Sequence, residues 1–384
     1  MAGFLWYILS MRSEIEQSDL ISINAEGIDL VDMKVTGDRK RRLAIAEHVD
    51  FGGVPEEGVG LLRTVMVAHL IAPYFPKIIE TNFGVTDKVF IDELYKYYGY
   101  MPPRLVMSDD LTSTRTTKSI NYPQVEIANA HSGGLDSAYR MAGFLQEKKK
   151  VMGVHLRNLN TKGNFAEFQA SKEQCETWGV PFENIRLINN SLNGGFDTMR
   201  TRDYLLAIAT AVTGYQYGAK KVMIEGGMFD DPEKGHFSEY SEGWKMFNKL
   251  IADANLKMEV EGIDPGDVET VGEVVRLEKV LGIEILPLIQ NCFSAPFQRG
   301  FLRKKWFRET RTISQNSSEH WCGSCLKCRR MTMGRLIYQD PRLANVPENE
   351  VKFFVKDTYN WLRIYKHNGD MVSKSFLDHL ARLG

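Results

Sequence analysis

One stretch of the sequence decides the fold: VEIANAHSGGLDS, which runs from Val125 to Ser137. Its first part, Val125–Ala130, is mostly apolar and predicts a short buried strand. The segment SGGLDS follows at Ser132, and helical spacing begins near Asp136. Two adjacent glycines let a backbone pass close to an anion and present successive N–H groups to it. A loop of this kind between a strand and a helix predicts a site that binds pyrophosphate.

The side chains of SGGLDS add to this prediction. Ser132 and Ser137 can donate hydroxyl hydrogen bonds, and the helix that follows presents its positive end to an anion. The GK[ST] signature is absent, so the loop is not an ordinary P-loop. A plain Gly-Gly turn with Asp136 as the helix cap is the structural alternative. The predicted binding residues are Ser132, Gly133, Gly134, Leu135, Asp136 and Ser137, and Asp136 is also a candidate catalytic residue.

Strands and helices alternate after this loop. This rhythm predicts an α/β fold with a doubly wound, five-stranded parallel sheet that binds its ligands at the carboxyl ends of the strands. Besides Val125–Ala130, the predicted strands are Val151–Leu156, Ile185–Ile188, Lys221–Glu225 and Ile283–Ile289. The predicted helices are Asp136–Lys148, Phe165–Trp178, Thr201–Gly218 and Thr270–Leu281.

The residues before this pattern carry no recognisable chemistry. Phe4–Leu9 predicts a strand, Ile21–Val35 alternates between apolar and polar residues, and Gly58–Phe75 has helical spacing. The polar run Ser108–Asn121 is a predicted linker. The predicted domains are therefore an N-terminal α+β extension of unknown role at 1–120, the α/β domain at 121–290, and a C-terminal element at 291–384.

The composition is that of a soluble globular protein. The 384 residues are 43% hydrophobic and 25% charged, and the net charge of −1 argues against a dedicated polyelectrolyte binder. The apolar start, Met1–Ser10, lacks a basic segment and a cleavage site, and it is too short to span a bilayer. We therefore expect a cytoplasmic protein with no membrane partner.

The cysteines indicate a metal rather than a disulfide scaffold. CGSCLKC, from Cys322 to Cys328, places three of the five cysteines close together, and Cys292 lies upstream. Four thiolates satisfy tetrahedral zinc, and closed sites of this kind are structural. The predicted ligands of a structural Zn²⁺ are Cys292, Cys322, Cys325 and Cys328. Cys175, within a predicted helix, is interpreted as a small buried apolar residue. The C-terminal element is thus predicted to be a zinc-bearing helical segment.

SGGLDS resembles the motif of the PP-loop (N-type ATP pyrophosphatase) superfamily, which has a HUP-like fold. These enzymes split ATP between its α- and β-phosphates and leave an adenylated substrate for a nucleophile. The resemblance implies ATP with Mg²⁺ as cofactors of SGGLDS. The CGxCxxC element and the helix RDYLLAIA, which begins at Arg202, are similar to the QueC 7-cyano-7-deazaguanine synthase family. The resemblance extends from about Ala128 to Met331.

The resemblance to QueC implies an ATP-dependent carbon–nitrogen ligase. QueC converts 7-carboxy-7-deazaguanine and ammonia to the amide and then to the nitrile. Arg202 is a candidate catalytic residue because its guanidinium suits either a phosphate or a carboxylate. Glu225, Asp230 and Asp231 are candidate substrate residues, and the two aspartates could instead bind Mg²⁺. A routine ion pair for Arg202 and a solvated loop for Asp230–Asp231 are the alternatives. The family also implies a homodimer.

The chain departs from the family in several places. Residues 1–120 are additional, Asp203 stands where QueC has Asn, and HFSEY at His236–Tyr240 replaces a Tyr-Pro-Asp-Cys-Arg substrate segment. A basic and aromatic insertion occupies 299–311. This insertion, or the N-terminal region, could dock a protein partner; a surface element that covers apolar neighbours is the alternative.

These departures leave more than one function open. The leading hypothesis is a ligase that transfers an activated deazaguanine carboxylate to ammonia. The first alternative is a QueC-like enzyme of antiphage defence that transfers it to an amine of a partner protein. The second is a PP-loop enzyme that modifies tRNA, motivated by the insertion at 299–311; nucleic acid is the less expected partner because the net charge is close to zero.

Overall fold

The computed structural model describes residues 20–25, 32–36, 41–45, 51–107, 122–158, 162–189, 200–226, 236–263, 267–290, 308–316, 321–365 and 374–383. The predictions for Phe4–Leu9, the linker 108–121, Asp230, Asp231, Cys292 and 299–307 lie outside these ranges. The described residues form two compact units that alternate along the chain. The first unit lies within 1–130, 150–161 and 181–264, and the second within 131–149, 162–180 and 265–384.

The described chain contains strands and helices throughout. The strands are β1 (Leu20–Ala25), β2 (Asp32–Thr36), β3 (Arg41–Ile45), β4 (Ile78–Thr81), β5 (Arg104–Met107), β6 (Ile127–Ala130), β7 (Val151–Asn158), β8 (Phe182–Asn189), β9 (Lys221–Glu225) and β10 (Glu259–Ile263). The helices are α1 (Glu56–Ile71), α2 (Lys88–Tyr97), α3 (Leu135–Gln146), α4 (Lys162–Thr177), α5 (Arg202–Gln216), α6 (Ser241–Asp253), α7 (Val268–Leu281), α8 (Arg311–Gln315), α9 (Leu326–Ile337), α10 (Glu348–Tyr365) and α11 (Lys374–Leu383).

The first unit is built on a ten-stranded sheet, in the order β10-β9-β6-β7-β8-β3-β2-β1-β4-β5. The five strands from β10 to β8 are parallel, and β6 lies between β7 and β9. Counted from β6, this segment has the order 5-4-1-2-3, which is that of doubly wound sheets with a switch point between β6 and β9. The predicted α/β class is confirmed, and the sheet is rich in parallel pairs. The predicted five-stranded parallel sheet is wrong in extent, because antiparallel pairing of β8 with β3 continues it to ten strands.

The N-terminal strands extend this same sheet. β3 pairs antiparallel with β8, with Ala44 opposite Ile188, and β2 and β1 continue the antiparallel pairing. β4 and β5 then add parallel strands on the far side of β1. The residues of the predicted extension that the structure describes as strands therefore share one sheet with the α/β segment.

The prediction of a strand at Ile283–Ile289 is wrong. Leu286–Leu288 form a short 3-10 turn, and the fifth parallel strand is β10. The physical reason is Pro287, which has no N–H to donate to a ladder and cannot occupy an interior strand. β10 was not predicted because Glu259 and Glu261 interrupt its apolar residues, and glutamate is uncommon in strands.

Apolar packing holds each unit together. In the first unit, α1 is buried along most of its length, and α5 lies so close to β6 that a Cβ on Gly214 would be 2.6 Å from the Cβ of Ala128. In the second unit, α9 crosses α7 where a Cβ on Gly334 would be 2.5 Å from the Cβ of Val271. In the part of the chain that the structure describes, no helix combines the length and apolar character needed to cross a membrane.

Candidate functional site

The predicted strand, loop and helix around SGGLDS are confirmed. β6 ends at Ala130, and α3 begins at Leu135 with Gly134 as its N-cap. Gly133 has φ +74°, a conformation that favours glycine, whereas Gly134 is extended. Gly134, as the N-cap, has no side chain that could accept from the first amides of α3. The positive end of this helix therefore lies directly beside the glycine loop.

A glycine is also required at position 133 because there is no room for a side chain there. A Cβ at this position would lie 2.8 Å from the backbone N of Ser171, 3.0 Å from the Cβ of Ala170 and 3.1 Å from the backbone O of Glu167. These atoms belong to α4, and two of them are backbone atoms of a regular helix. The loop thus rests on α4 at a distance that only glycine permits.

Two hydroxyl groups lie beside this loop. The Oγ atoms of Ser132 and Ser137 are 3.2 Å apart, and the Gly134 N–H donates to Ser132 Oγ at 3.3 Å. Asp136 lies in the first turn of α3 and is 9% exposed. Leu135 is fully buried in the apolar core of the second unit, so only its backbone is available to a ligand. The arrangement places hydroxyl groups, helical amides and one carboxylate within a single turn.

Three residues that the sequence pattern did not indicate form hydrogen bonds with carbonyl groups of the loop: Ser171, Gln174 and Gln290. Gly133 O accepts hydrogen bonds from Gln174 Nε2 at 3.0 Å and from the Gln290 N–H at 2.8 Å. Ser171 Oγ donates to His131 O at 2.8 Å. Ser171 lies 40 residues after His131, and Gln174 lies 41 residues after Gly133, so no local motif could have indicated them. Their polar character on the buried side of α4 was the available signal.

The clustered cysteines form a candidate metal centre. Cys322, Cys325 and Cys328 place their Sγ atoms within 4.8 Å of one another, and those of Cys322 and Cys328 are 3.9 Å apart. Tetrahedral zinc with Zn–S bonds of about 2.3 Å separates its sulfur ligands by about 3.8 Å. The distance of 3.9 Å fits zinc and is far from the roughly 2.05 Å of a disulfide. The three thiols can therefore hold a metal ion such as zinc.

Local structure brings these thiols together. Gly323 has φ +77°, which turns the chain after Cys322, and Cys325 is the N-cap of α9. Cys328 then lies in the first turn of the helix, where a buried ligand is held rigidly. Cys175 lies outside the cluster and is fully buried, and burial raises the pKa of its thiol to about 12. It is the buried apolar residue that was predicted.

A buried arginine lies next to the metal centre. The side chain of Arg329 is 3% exposed, and its Nε donates to Ser324 O at 2.8 Å. Its Nη2 donates to Asp357 at 2.7 Å and its Nη1 to Thr358 at 2.9 Å. Burial lowers the pKa of this guanidinium, whereas Asp357 and the cysteines favour its charge. A fixed positive charge of this kind offsets the negative charge of a thiolate cluster.

The first unit contains Arg202, a candidate catalytic residue, and Glu225, a candidate substrate residue. Arg202 is the first residue of α5, and its Nε donates to Asp203 Oδ1 at 2.7 Å. The side chain of Arg202 is 47% exposed, and that of Asp203 is 3% exposed. Burial raises the pKa of Asp203, and the charge of Glu225 at the end of β9 acts in the same direction. The ion pair that stood as the alternative for Arg202 is present, and about half of the Arg202 side chain surface remains exposed.

HFSEY, at His236–Tyr240, is anchored inside the first unit. Phe237–Glu239 form a 3-10 turn, and the Phe237 N–H donates to Tyr98 Oη at 3.2 Å. The His236 N–H donates to Glu239 Oε2 at 2.9 Å. Tyr98 belongs to the N-terminal extension. This segment is thus held by a hydrogen bond to a residue of the predicted extension.

His236 makes the stability of the protein depend on pH. Burial, together with the charges of Arg200 and Arg202, lowers the pKa of His236 from 6.5 to about 4. The folded protein holds the imidazole neutral while the unfolded chain protonates it, so the contribution of His236 to stability is fully present above pH 6.5 and is lost as the pH drops towards 4. Urea unfolding at pH 7.5 and 5 is expected to show this loss, and His236→Gln to reduce it. An imidazole that titrates near 6.5 by NMR would contradict the buried, neutral state.

Comparison with known proteins gives no assignment. No protein-family profile matches the chain, and a search of curated proteins found no match.

Proposed function

We propose that the chain is a QueC-like PP-loop enzyme, an ATP-dependent carbon–nitrogen ligase that forms AMP and pyrophosphate. One observation carries the proposal: the Ser132–Ser137 loop combines a glycine at φ +74°, a helix N-terminus with glycine as its N-cap and two hydroxyls 3.2 Å apart. Anions bind where backbone amides and a helix N-terminus converge. Two linked phosphates need several donors in succession, and this loop supplies them.

The order of the parallel strands supports the same proposal. SGGLDS follows β6, and β6 borders the switch point of the sheet of the first unit. Ligands of open α/β sheets bind where the strand order reverses, beyond the carboxyl ends of the strands. A plain Gly-Gly turn would need neither this position in the strand order nor the hydroxyl pair. The phosphate interpretation therefore accounts for more of the observations.

The proposed reaction has two steps. A carboxylate oxygen of the substrate attacks the α-phosphorus of ATP, the bond to the bridging oxygen breaks, and pyrophosphate leaves. Donors of the loop stabilise the charge that accumulates on the departing pyrophosphate. Ammonia then attacks the acyl carbon, AMP leaves with the carboxylate oxygen, and an amide forms. With 7-carboxy-7-deazaguanine, the amide is the precursor of a nitrile.

We assign roles in this reaction to Asp136 and Arg202, and a structural role to the cysteines. Asp136 would hold the Mg²⁺ that accompanies ATP and shares the charge of its phosphates. Arg202, in the first unit, is proposed to bind a carboxylate or phosphate, since its guanidinium suits either group. The zinc would be held by Cys322, Cys325 and Cys328, with Cys292 as the fourth ligand, and would contribute folding free energy rather than chemistry.

Exchange of labelled pyrophosphate into ATP tests the activation step. The purified protein with Mg²⁺ and 7-carboxy-7-deazaguanine is expected to catalyse this exchange, and Asp136→Asn to reduce its rate about 100-fold or more because the neutral amide binds Mg²⁺ weakly. The matched control is Asp267→Asn. Asp267 caps α7, where an amide oxygen can still accept from the Val268 N–H. This variant is expected to retain the rate of the wild type.

The exchange assay reports the activation step alone, and addition of ammonia then tests the transfer step. Exchange needs no nitrogen acceptor, so it reports activation whether the nitrogen comes from ammonia or from a protein. Adding ammonia is then expected to release AMP and pyrophosphate in equal amounts. Formation of ADP and phosphate, or exchange at the full rate in Asp136→Asn, would contradict the proposal.

A further inference from the structure

The side of the phosphate loop that faces α4 is held by two buried side chains. Ser171 Oγ donates to His131 O at 2.8 Å, and Gln174 Nε2 donates to Gly133 O at 3.0 Å. Both side chains are fully buried. The carbonyl groups of His131 and Gly133 are thus both held by hydrogen bonds from side chains of α4.

Fixing a carbonyl also fixes the amide that follows it. The peptide group is planar, and all described peptide bonds are trans. In a trans peptide the N–H of the next residue points away from the carbonyl oxygen. The carbonyls of His131 and Gly133 face α4, so the amides of Ser132 and Gly134 face the opposite side. The Gly134 N–H does so, since it donates to Ser132 Oγ at 3.3 Å, beside Ser137 Oγ.

Gln174 connects the loop to a third segment. Its Nε2 also donates to Leu288 O at 2.8 Å, and the Gln290 N–H donates to Gly133 O at 2.8 Å. Because both neighbours of Nε2 are carbonyl oxygens, the amide must present its NH₂ group to them. Its own Oε1 is buried and accepts no hydrogen bond among the described residues. Burying an amide acceptor in this way is unfavourable, so packing alone would favour an apolar side chain here.

We infer that Ser171 and Gln174 are positioning residues: they orient the amides of Ser132 and Gly134 towards the pyrophosphate group of ATP. The inference rests on the proposed function, since it names the residues that prepare the same loop for its ligand. Neither side chain touches the ligand itself. Their contribution is to hold the donors in place before binding, so that the ligand does not have to reorganise the loop.

This role predicts a selective effect on phosphates. Inorganic pyrophosphate and ATP both carry the group that the loop binds, whereas AMP does not. Misoriented amides should therefore weaken binding of pyrophosphate and ATP and leave binding of AMP unchanged. A residue that merely stabilised the fold would affect all three ligands alike.

The test is Gln174→Met, measured by calorimetric titration of the full chain with magnesium pyrophosphate, ATP and AMP. Methionine has a similar length and no donor, and it removes the unsatisfied Oε1, so the fold is expected to remain intact. The dissociation constants of pyrophosphate and ATP are expected to rise about tenfold or more, since hydrogen bonds to charged groups are the strong ones. The dissociation constant of AMP is expected to stay within about twofold of the wild-type value, because the loop amides do not bind it.

Two further variants make the result decisive. Ser171→Ala removes the hydroxyl that donates to His131 O and changes the side chain less than Gln174→Met does. It is also expected to weaken binding of pyrophosphate and ATP but not of AMP. Cys175→Ala is the control: Cys175 is fully buried and lies next to Gln174 on α4. This variant disturbs packing but leaves the hydrogen bonds to His131 O and Gly133 O in place. Any change in affinity should therefore be the same for pyrophosphate, ATP and AMP.

Each outcome has a distinct meaning. Unchanged pyrophosphate affinity in both Gln174→Met and Ser171→Ala, or an equal loss for AMP, would overturn the inference and leave the proposed function intact. A wild-type protein that binds neither ATP nor pyrophosphate would overturn the proposed function and this inference together.

Discussion

Replacement of Gly133 by alanine is expected to remove ATP binding and the exchange activity. An alanine at φ +74° costs about 1–2 kcal/mol in backbone strain. Its Cβ would also lie 2.8 Å from the Ser171 N and 3.1 Å from the Glu167 O, which are backbone atoms of α4. Helix backbone does not yield easily, so the loop must move away from α4. That movement breaks the hydrogen bonds to Gly133 O and turns the loop amides away from their ligand.

The expected size of this effect separates it from a general loss of stability. We expect unfolding free energy to fall by about 2–4 kcal/mol, while ATP affinity falls about 100-fold or more because several donors are displaced together. Urea unfolding and calorimetric titration measure the two quantities. Gly133→Ala with ATP affinity close to that of the wild type would show that the ligand does not depend on this loop.

Gly143 provides the matched control on the adjoining helix. It lies within α3, and a Cβ there would meet nothing within 4 Å. Gly143→Ala is therefore expected to stabilise the protein by about 0.5–1 kcal/mol, since alanine loses less conformational entropy in a helix. Its exchange activity should equal that of the wild type. The same substitution thus has opposite expected results at two glycines ten residues apart in one strand–loop–helix segment.

The strand, loop and helix of this segment were predictable because their signals are local. Val125–Ala130 is apolar, the two glycines follow at once, and α3 has helical spacing. The cysteine cluster was predictable for the same reason, since three cysteines within seven residues need only one turn and one helix start to come together. In both cases the residues that form the feature are neighbours in the sequence.

Features that depend on distant residues were not predictable in this way. β3 pairs with β8 through Ala44 and Ile188, so nothing near either strand indicates the pairing. Gln174 reaches a loop that lies some forty residues earlier. At Pro287 the local apolar pattern was misleading, because hydrophobicity does not register a missing N–H. The sequence pattern therefore located the strand, the glycine loop and the helix, whereas the contacts that support the loop required the structure.

Replacement of Cys322 by serine is the second change for which we expect a large effect. Its Sγ lies 3.9 Å from that of Cys328, and the side chain is fully buried in the core of the second unit. Serine is a poor zinc ligand, so the variant should lose its bound zinc when measured by elemental analysis of the purified protein. We expect unfolding free energy to fall by on the order of 5 kcal/mol, because structural zinc contributes folding free energy directly. Cys175→Ala removes a buried thiol outside the cluster and is expected to retain the full zinc content.

The loss of zinc is also expected to weaken ATP binding through a short chain of contacts. Trp321, next to Cys322, donates its indole N–H to Ile289 O at 2.8 Å, and the neighbouring Gln290 N–H donates to Gly133 O at 2.8 Å. When the cysteine turn loosens, this support of the loop loosens with it. Removal of zinc from the wild-type protein by a chelator should therefore reproduce the lower ATP affinity of Cys322→Ser. Zinc-free protein that binds ATP as tightly as the zinc-bound form would show that the metal centre and the loop are independent, and full zinc content in Cys322→Ser would exclude Cys322 as a ligand.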